Sequence, residues 1–337
     1  MIDDVAGNNN IFAWPIWGHG HAVKELRAAS IRGPRHAYIL SGFEHLGKTT
    51  LATLFAQSLL CQQPVSPGVP CLECSACRRV ARGTHPDCSL WDLERQVKTA
   101  EKSTTSRNLT LNIQTIREIT SSIAMRPMES RYRIVIVDDV ETMQETAQEA
   151  FLKTLEEPPA YAVILLLTTD ADLLLDTIRS RAMTVPIQNV PLERIRQGLL
   201  TMGASAEVAE SIAVASDGRP GWAIRALKDD TLLKERTEQQ SAADRWIEND
   251  RYLQLAEATR MGDAFAKDRE AVFAQLEAVR RQWRMRLLAD IEGDNATVES
   301  RLRALKSIDL CFRDLDANVR PKLALQTMVL QWPTSNQ

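Results

Sequence analysis

Up to about residue 190, short apolar runs alternate with segments in which apolar residues recur every three or four positions. The runs AYIL at 37–40, IVIV at 134–137 and VILLL at 163–167 predict buried strands, and weaker runs predict strands at 88–93 and 184–187. The periodic segments predict helices at 19–31, 48–59, 78–81, 113–123 and 147–155. Because the strands are apolar throughout and alternate with helices, the sequence predicts an α/β fold with a parallel sheet covered on both faces.

After about residue 190 the pattern changes, because no further strand is predicted and amphipathic helical segments follow one another. The segment DGRPG at 217–221 interrupts the first of these helical blocks. We therefore predict an all-α second part and the following division: an α/β domain at 1–188 with an insertion at 61–77, a small helical domain at 189–238 and a helical domain at 239–337.

Composition and charge exclude several classes of protein. The chain has 337 residues, of which 44 % are hydrophobic and 25 % charged, so it is neither a disordered chain nor a fibrous one. Its 41 Lys and Arg residues nearly balance 44 Asp and Glu residues, so bulk charge does not predict binding to nucleic acid. The longest apolar run, at 162–167, is too short to span a bilayer. The N-terminus has no signal-peptide pattern, so we expect a cytoplasmic protein with no membrane attachment.

Four of the six cysteines lie close together, with the spacing C-x9-C-x2-C-x2-C. In a reducing compartment, clustered cysteines are more often metal ligands than disulfides, and C-x2-C spacing lets two thiolates converge on one ion. We predict a structural Zn²⁺ held by Cys61, Cys71, Cys74 and Cys77. Four free thiols in a surface loop are the alternative, and a cysteine nucleophile is disfavoured because the cluster has no neighbouring base. We expect Cys88 and Cys311 to be buried.

The loop after the first predicted strand carries GFEHLGKT at 42–49, which matches the phosphate-binding pattern G-x-x-x-x-G-K-[ST]. A strand precedes it and a helix follows, so backbone N–H groups and the helix N-terminus can hold phosphate. Lys48 is expected to reach the β- and γ-phosphates, and the Thr49 hydroxyl to bind Mg²⁺. We predict a site for ATP or ADP with Mg²⁺, formed by Gly42, Gly47, Lys48, Thr49 and Thr50. A chance match in a glycine-containing loop is the alternative.

Two carboxylates follow the predicted strand at 134–137. Asp138 lies at the carboxyl end of that strand, where ligands bind in open α/β sheets, and is expected to hold Mg²⁺ directly or through water. Asp139 stands where an ATPase needs a water-activating Glu. Its side chain is one methylene shorter, and a displacement of about 1 Å can lower a rate by roughly 10²-fold. We therefore expect weak hydrolysis or none. The alternative role for Asp139 is to cap the following helix.

Several motifs together resemble the clamp-loader subunits of bacterial DNA polymerase III, which are AAA+ proteins. The phosphate loop is followed by the four-cysteine segment and then by THPD at 84–87. AFLKTLEEPP at 150–159 and TIRSRA at 177–182 are similar to family motifs, although Ala182 replaces the family's cysteine. NVRPKLAL at 318–325 resembles the end of the family's collar domain. The resemblance is dense over about 12–225 and thin from 230 to 310. It implies an AAA+ domain, a small helical lid and a C-terminal helical collar.

Within this family the chain looks most like the delta prime branch. His85-Pro86-Asp87, Asp139 in place of Glu, and the GRPG segment at 218–221 carry this resemblance. A motor subunit of the gamma/tau branch is expected to have a catalytic Glu after Asp138 and a sensor-2 arginine near Gly221. Here that position is glycine, although Arg219 or Arg225 could replace the arginine. Lys48 and Thr49 are intact, so nucleotide binding is still expected.

The resemblance also implies roles for residues near the end of the α/β domain. It implies that Arg181 is an arginine finger that reaches ATP bound by a neighbouring subunit. The alternatives are an ion pair within the chain, or that Arg179 has this role instead. It implies that Thr169, or Thr168, is the sensor-1 residue that detects the γ-phosphate. The alternative is a hydroxyl that caps a backbone group at the end of a strand.

The partners implied by the resemblance are the gamma/tau and delta subunits, the sliding clamp and primed DNA. Arg126, Arg131 and Arg133 precede the strand at 134–137 and either face DNA phosphates or belong to a solvated surface. Two rival functions remain open. One is an autonomous ATPase motor such as the gamma/tau subunit, and the other is a structural assembly protein with a vestigial nucleotide site.

Overall fold

The computed structural model describes residues 14–93, 110–290 and 294–333. The chain divides into two compact units, Met1–Ile224 and Arg225–Gln337, and each is described separately. The division falls within one helix, Pro220–Lys228. The polar stretch at 97–110, for which the sequence predicts a loop, lies almost entirely outside the described residues. The predicted division at 188 and 238 stays a prediction.

A five-stranded parallel sheet forms the centre of the first unit, in the order β2-β3-β4-β1-β5. The strands are β1 (Ala37–Ser41), β2 (Cys88–Trp91), β3 (Arg133–Val137), β4 (Ala162–Thr168) and β5 (Met183–Pro186). In the register, Ser41 pairs with Thr168 and Val137 pairs with Leu166. The carboxyl ends of β1, β3 and β4 therefore meet at one edge of the sheet. All five predicted strands are present.

Helices cover both faces of this sheet, as the continuous apolar runs predict. Successive side chains of a strand point to opposite faces, so Tyr38 and Leu40 pack in one apolar cluster with Phe55, and Ile39 packs in the other with Phe151. The described helices of the first unit are α1 (Gly20–Arg32), α2 (Lys48–Leu60), α3 (Ser75–Ala81), α4 (Ile113–Ala124), α5 (Glu145–Glu156), α6 (Asp176–Arg179), α7 (Leu192–Thr201) and α8 (Ala206–Ser216), with short 3₁₀ helices at Val140–Thr142 and Ala171–Leu173. The helix α9 (Pro220–Lys228) begins in this unit and contains the division.

All regular secondary structure in the described residues of the second unit is helical, as predicted. Its helices are α10 (Asp230–Glu248), α11 (Arg251–Ala264), α12 (Arg269–Ala289), α13 (Asn295–Asp316) and α14 (Pro321–Leu330). The Trp332 ring lies 5.1 Å from that of Trp246 and 5.8 Å from that of Trp283, and these rings belong to one buried core with Cys311. Among the described residues, no helix combines the length and the apolar character that crossing a bilayer requires.

A buried carboxylate anchors the loop before β3. Asp87 is fully buried and accepts hydrogen bonds from the backbone N–H groups of Met128, Glu129 and Ser130, at 2.6–3.0 Å, and from the Ser130 hydroxyl at 2.6 Å. Burial alone would raise the pKa of Asp87, but these hydrogen bonds outweigh it and hold the pKa below its usual value. The neighbouring His85 is also buried and lies 3.2 Å from Glu129, so this motif has a structural role.

Arg133 is a correction to the sequence analysis. Its guanidinium is buried and donates to the Ser122 carbonyl and hydroxyl and to the Pro86 carbonyl. It therefore neither faces DNA nor belongs to a solvated surface. The guanidinium also lies 3.8 Å from the buried Asp87 carboxylate. These hydrogen bonds and this opposite charge explain its place in an otherwise apolar strand, because a buried cation needs acceptors and a charge partner. Arg131 lies over the Tyr132 ring, with 5.4 Å between the guanidinium carbon and the ring centroid.

We expect Asp87→Asn to lower the free energy of unfolding by about 2–4 kcal/mol at pH 7, because an amide cannot accept this set of hydrogen bonds. The pKa of Asp87 is lower in the folded protein than in the unfolded chain, where it is about 3.9. The contribution of Asp87 to stability is therefore complete above the unfolded pKa and is lost as pH falls through the native pKa. Urea unfolding at a series of pH values measures the difference. The exposed Glu118 provides a control, and Glu118→Gln should leave stability nearly unchanged. A difference that stays constant well below pH 4 would contradict this assignment.

Candidate functional site

The phosphate-loop sequence connects β1 to α2, as predicted. Gly47 has φ +93°, in the left-handed region that favours glycine, and it directly precedes the first residue of α2. Lys48 is buried, and its Nζ donates to the carbonyls of Gly42 at 2.6 Å and Phe43 at 3.1 Å. Burial lowers the pKa of Lys48, and the nearby carboxylates of Asp138 and Glu141 partly offset that effect. The buried Lys48 amine thus forms hydrogen bonds to the backbone of its own loop.

Asp138 connects this loop to β3. The Thr49 hydroxyl donates to Asp138 Oδ2 at 2.9 Å, across the carboxyl edge of the sheet. Burial raises the pKa of Asp138, while the hydrogen bond from Thr49 lowers it. Thr50 follows in the first turn of α2 and is exposed. A hydroxyl and a carboxylate in contact provide the oxygen ligands that Mg²⁺ prefers, so these residues fit such an ion.

Asp139 lies next to Asp138 in a left-handed backbone conformation, with φ 53°. It occupies the N-cap position of the 3₁₀ helix at Val140–Thr142, but in the described part of the chain its side chain makes no capping hydrogen bond. Its backbone carbonyl accepts from Thr142 instead. Burial, together with the carboxylates of Asp138 and Glu141, raises the pKa of Asp139 to about 6. Three carboxylates therefore crowd this edge of the sheet.

The two threonines at the end of β4 differ in their contacts. The Thr168 hydroxyl donates to the Asp170 carbonyl at 2.8 Å, which is the backbone-capping role that the sequence left open. Thr169 instead donates to Glu141 Oε1 from both its backbone N–H, at 2.9 Å, and its hydroxyl, at 2.6 Å. Thr169 is therefore the threonine whose hydroxyl contacts the carboxylate group at this edge. Glu141 was missed in the sequence analysis, although its place three residues after Asp138 was a usable signal.

Arg181 forms its ion pair and hydrogen bonds with residues other than those of the phosphate loop and the carboxylates described above. Its guanidinium forms an ion pair with Glu156 at 2.9 Å and donates to the Thr177 carbonyl at 2.9 Å. About a third of the side chain is exposed, at 35 %. Arg179 pairs with Asp172 and Asp176 instead. Arg181 thus lies at the surface and is held by Glu156 and Thr177.

The start of α9 packs directly on the phosphate loop. The Gly221 N–H donates to the His45 carbonyl at 2.8 Å, and a Cβ at Gly221 would lie only 2.8 Å from that oxygen. No larger residue fits this position without moving the loop. The Arg219 guanidinium lies over the ring of Phe43, with 5.6 Å from its central carbon to the ring centroid. Arg219 therefore contacts the loop with its side chain, whereas Gly221 contacts it with its backbone alone.

The four clustered cysteines converge as predicted. All four Sγ atoms lie within 4.8 Å of one another, with 3.6 Å between Cys61 and Cys71 and 4.0 Å between Cys71 and Cys77. Tetrahedral Zn²⁺ at about 2.3 Å from each sulfur requires sulfur–sulfur distances near 3.8 Å, so the cluster fits such an ion. Cys74 also caps α3 through the Cys77 N–H. Cys88 and Cys311 are buried outside the cluster, as expected.

Strand order and site together define the class. A parallel sheet with β1 between β4 and β5, a phosphate loop after β1 and an aspartate after β3 define a P-loop protein of the AAA+ type. Residues 19–191, just over half of the chain, match the family model described as "DNA polymerase III, delta subunit". The chain therefore belongs to this family of clamp-loader AAA+ proteins.

Curated relatives include more than one kind of subunit. The delta' subunit of Pseudomonas aeruginosa is 34 % identical over 194 residues, which cover 56 % of this chain and 55 % of that protein. The gamma subunit of Buchnera aphidicola from Acyrthosiphon pisum is 34 % identical over 181 residues, covering 53 % of this chain and 46 % of that protein. The chain thus spans about half the length of these relatives. The similar region does not separate the two branches.

Solved structures that match this chain include a gamma subunit-related protein of DNA polymerase III from Thermotoga maritima. It is 22 % identical, with a TM-score of 0.41, over 91 % of this chain and 97 % of that one. The RuvB Holliday junction branch migration motor of the same organism is 16 % identical, with a TM-score of 0.44, over 69 % of this chain and 76 % of that one.

Proposed function

We propose that this chain is a delta prime-type subunit of a DNA polymerase III clamp loader. In this role it binds ATP or ADP without rapid hydrolysis, and it completes the ATP site of a neighbouring subunit. The observation that carries the proposal is an assembled phosphate loop in which Thr49 contacts Asp138, while the next residue is Asp139 and not glutamate. This arrangement supports phosphate binding, while the glutamate that rapid ATP hydrolysis needs is replaced by a shorter carboxylate.

Nucleotide binding follows from the groups at the carboxyl edge of the sheet. Lys48 supplies a buried cation, and the first N–H groups of α2 point at the same loop. Thr49 and Asp138 would hold Mg²⁺, which when bound neutralises charge on the phosphates. Lys48 then exchanges its bonds to the Gly42 and Phe43 carbonyls for bonds to phosphate oxygens. Such charge-assisted bonds are stronger than bonds to neutral carbonyls.

Weak hydrolysis is supported by two features of the same site. Asp139 reaches one methylene less far than glutamate, so a water held by it lies farther from the γ-phosphate. Gly221, the position at which a motor subunit is expected to carry the sensor-2 arginine, has no room for a side chain while its backbone packs on the loop. Arg219 contacts Phe43 of that loop from outside this position. The gamma/tau-type motor remains the second candidate, because the curated relatives include both branches. Rapid ATP turnover by the isolated chain would favour the motor and would overturn our proposal.

The proposed partners are the gamma/tau and delta subunits, the sliding clamp and primed DNA. Membership of the family supports this assignment, and the surface position of Arg181 supports a contact with a neighbour. We also propose that the four-cysteine cluster binds a structural Zn²⁺, since all four ligand positions belong to the protein and leave none for a substrate.

Replacement of Lys48 tests the nucleotide site. We expect Lys48→Ala to weaken ATP and ADP binding by roughly 10- to 100-fold, because hydrogen bonds to charged groups contribute about 1.5–3 kcal/mol each. Equilibrium titration with labelled nucleotide measures the change. Lys267→Ala, at an exposed lysine of the second unit, provides a control with the same loss of charge. Wild-type protein that binds neither nucleotide would show that the site is vestigial.

A further inference from the structure

One contact at the candidate nucleotide site is not explained by the proposed function. Glu141 accepts two hydrogen bonds from Thr169 on the same oxygen, from the hydroxyl at 2.6 Å and from the backbone N–H at 2.9 Å. Glu141 belongs to the 3₁₀ helix that follows β3, whereas Thr169 directly follows β4. The contact therefore holds the ends of two neighbouring strands together at the edge where the phosphate loop lies.

The second oxygen of Glu141 is shielded from solvent and accepts no hydrogen bond from any residue that the structure describes. The charge of this carboxylate is among those that offset the effect of burial on the pKa of Lys48 in the phosphate loop. In addition, the Gly42 N–H donates to the Thr168 carbonyl at 3.1 Å, which joins the end of β4 to the start of the loop. The charge of Glu141 thus acts on the amine that is expected to bind phosphate.

We propose that Glu141 holds Thr169 in place of the terminal phosphate of a nucleoside triphosphate, and thereby lowers the protein's preference for triphosphate over diphosphate. This inference rests on the proposed nucleotide binding. A hydroxyl has one hydrogen to donate, so Thr169 cannot donate to Glu141 and to a γ-phosphate at once. A triphosphate must displace the carboxylate to gain that bond, whereas a diphosphate has no γ-phosphate to place there and leaves the contact intact.

The experiment compares dissociation constants for ATP and ADP, each with Mg²⁺, on full-length protein. Removing the carboxylate frees the Thr169 hydroxyl, so we expect Glu141→Ala to raise the ratio of the ADP constant to the ATP constant by roughly tenfold. Thr169→Val alone should change the ratio little, because its hydroxyl already serves Glu141. In the double variant the ratio should return to the wild-type value, since the gain needs the freed hydroxyl.

Other outcomes have different meanings. A ratio that stays raised in the double variant would show simple repulsion between the carboxylate and phosphate, and would overturn the inference. An unchanged ratio in Glu141→Ala, with nucleotide still bound, would also overturn it but leave the proposed function intact. If the wild type binds neither nucleotide, both fail. Glu149→Ala removes an exposed carboxylate of the following helix, α5, and should leave the ratio unchanged. If Glu141→Ala does not fold, Glu141→Gln weakens the bond to Thr169 by removing the charge of its acceptor and should raise the ratio by roughly threefold, and adding Thr169→Val should abolish that rise. No rise, or a rise that persists in this double variant, would overturn the inference.

Discussion

In a reconstituted clamp loader, Arg181→Ala is expected to slow ATP hydrolysis at the pocket of the neighbouring subunit by about 10³-fold, because arginine fingers supplied in trans contribute about 10³–10⁵ to the rate. A guanidinium remains charged and offers a planar fork of donors to phosphate oxygens. Single-turnover hydrolysis at that pocket measures the effect, and clamp loading on primed DNA should fail in parallel. The isolated variant should fold and bind nucleotide like the wild type.

The contacts of Arg181 in the single chain do not oppose this role. Its ion pair with Glu156 lies at the surface, where such pairs contribute about 0–1 kcal/mol, so a phosphate can replace the carboxylate. Arg179→Ala provides the matched control, because Arg179 pairs with Asp172 and Asp176 of its own chain. Hydrolysis and loading at the parental level in Arg181→Ala would contradict the proposal. A loss of this size in Arg179→Ala but not in Arg181→Ala would assign the role to Arg179.

The fold was predictable because its strands are buried on both faces. A short run of β-branched residues such as IVIV at 134–137, bounded by charged residues, favours a central strand over a helix. All five predicted strands form one parallel sheet. The residues at which strands and helices begin and end were less predictable. The strand expected at 88–93 ends at Trp91, and the helix expected to begin at residue 78 begins at Ser75. Cys74 caps that helix, and a cysteine cap is not among the usual sequence signals for the start of a helix.

Motif residues of the site were predictable, but side-chain partners were not. Lys48, Thr49 and Asp138 follow from local patterns and from the rule that parallel strands end at the same edge. The contact between Glu141 and Thr169 depends on the side-by-side pairing of β3 and β4, which local patterns do not give. Arg133 shows the converse, because its charge suggested a surface while acceptors from Ser122 and Pro86 allow its burial. Long-range hydrogen bonding thus explains what the sequence analysis missed.

The largest expected effect on stability concerns the cysteine cluster. Purified protein should contain close to one zinc per chain, and Cys74→Ser should lose it, because each thiolate supplies one of four bonds. Structural zinc contributes about 10–16 kcal/mol of apparent binding free energy in small zinc domains, and the ordering of residues 61–77 should depend on it. Atomic absorption measures the metal. Hydrogen exchange should show loss of protection in this segment while β3 and β4 remain protected.

Cys88 offers a control that separates metal binding from loss of any thiol. It is buried, but its sulfur is outside the cluster, so Cys88→Ala should retain zinc at the wild-type level. Removal of zinc from the wild type by a chelator should reproduce the exchange pattern of Cys74→Ser. A zinc-free wild-type protein with residues 61–77 fully protected would show that the four thiols order this segment without a metal. The sulfur–sulfur distances of 3.6 and 4.0 Å would then reflect packing alone.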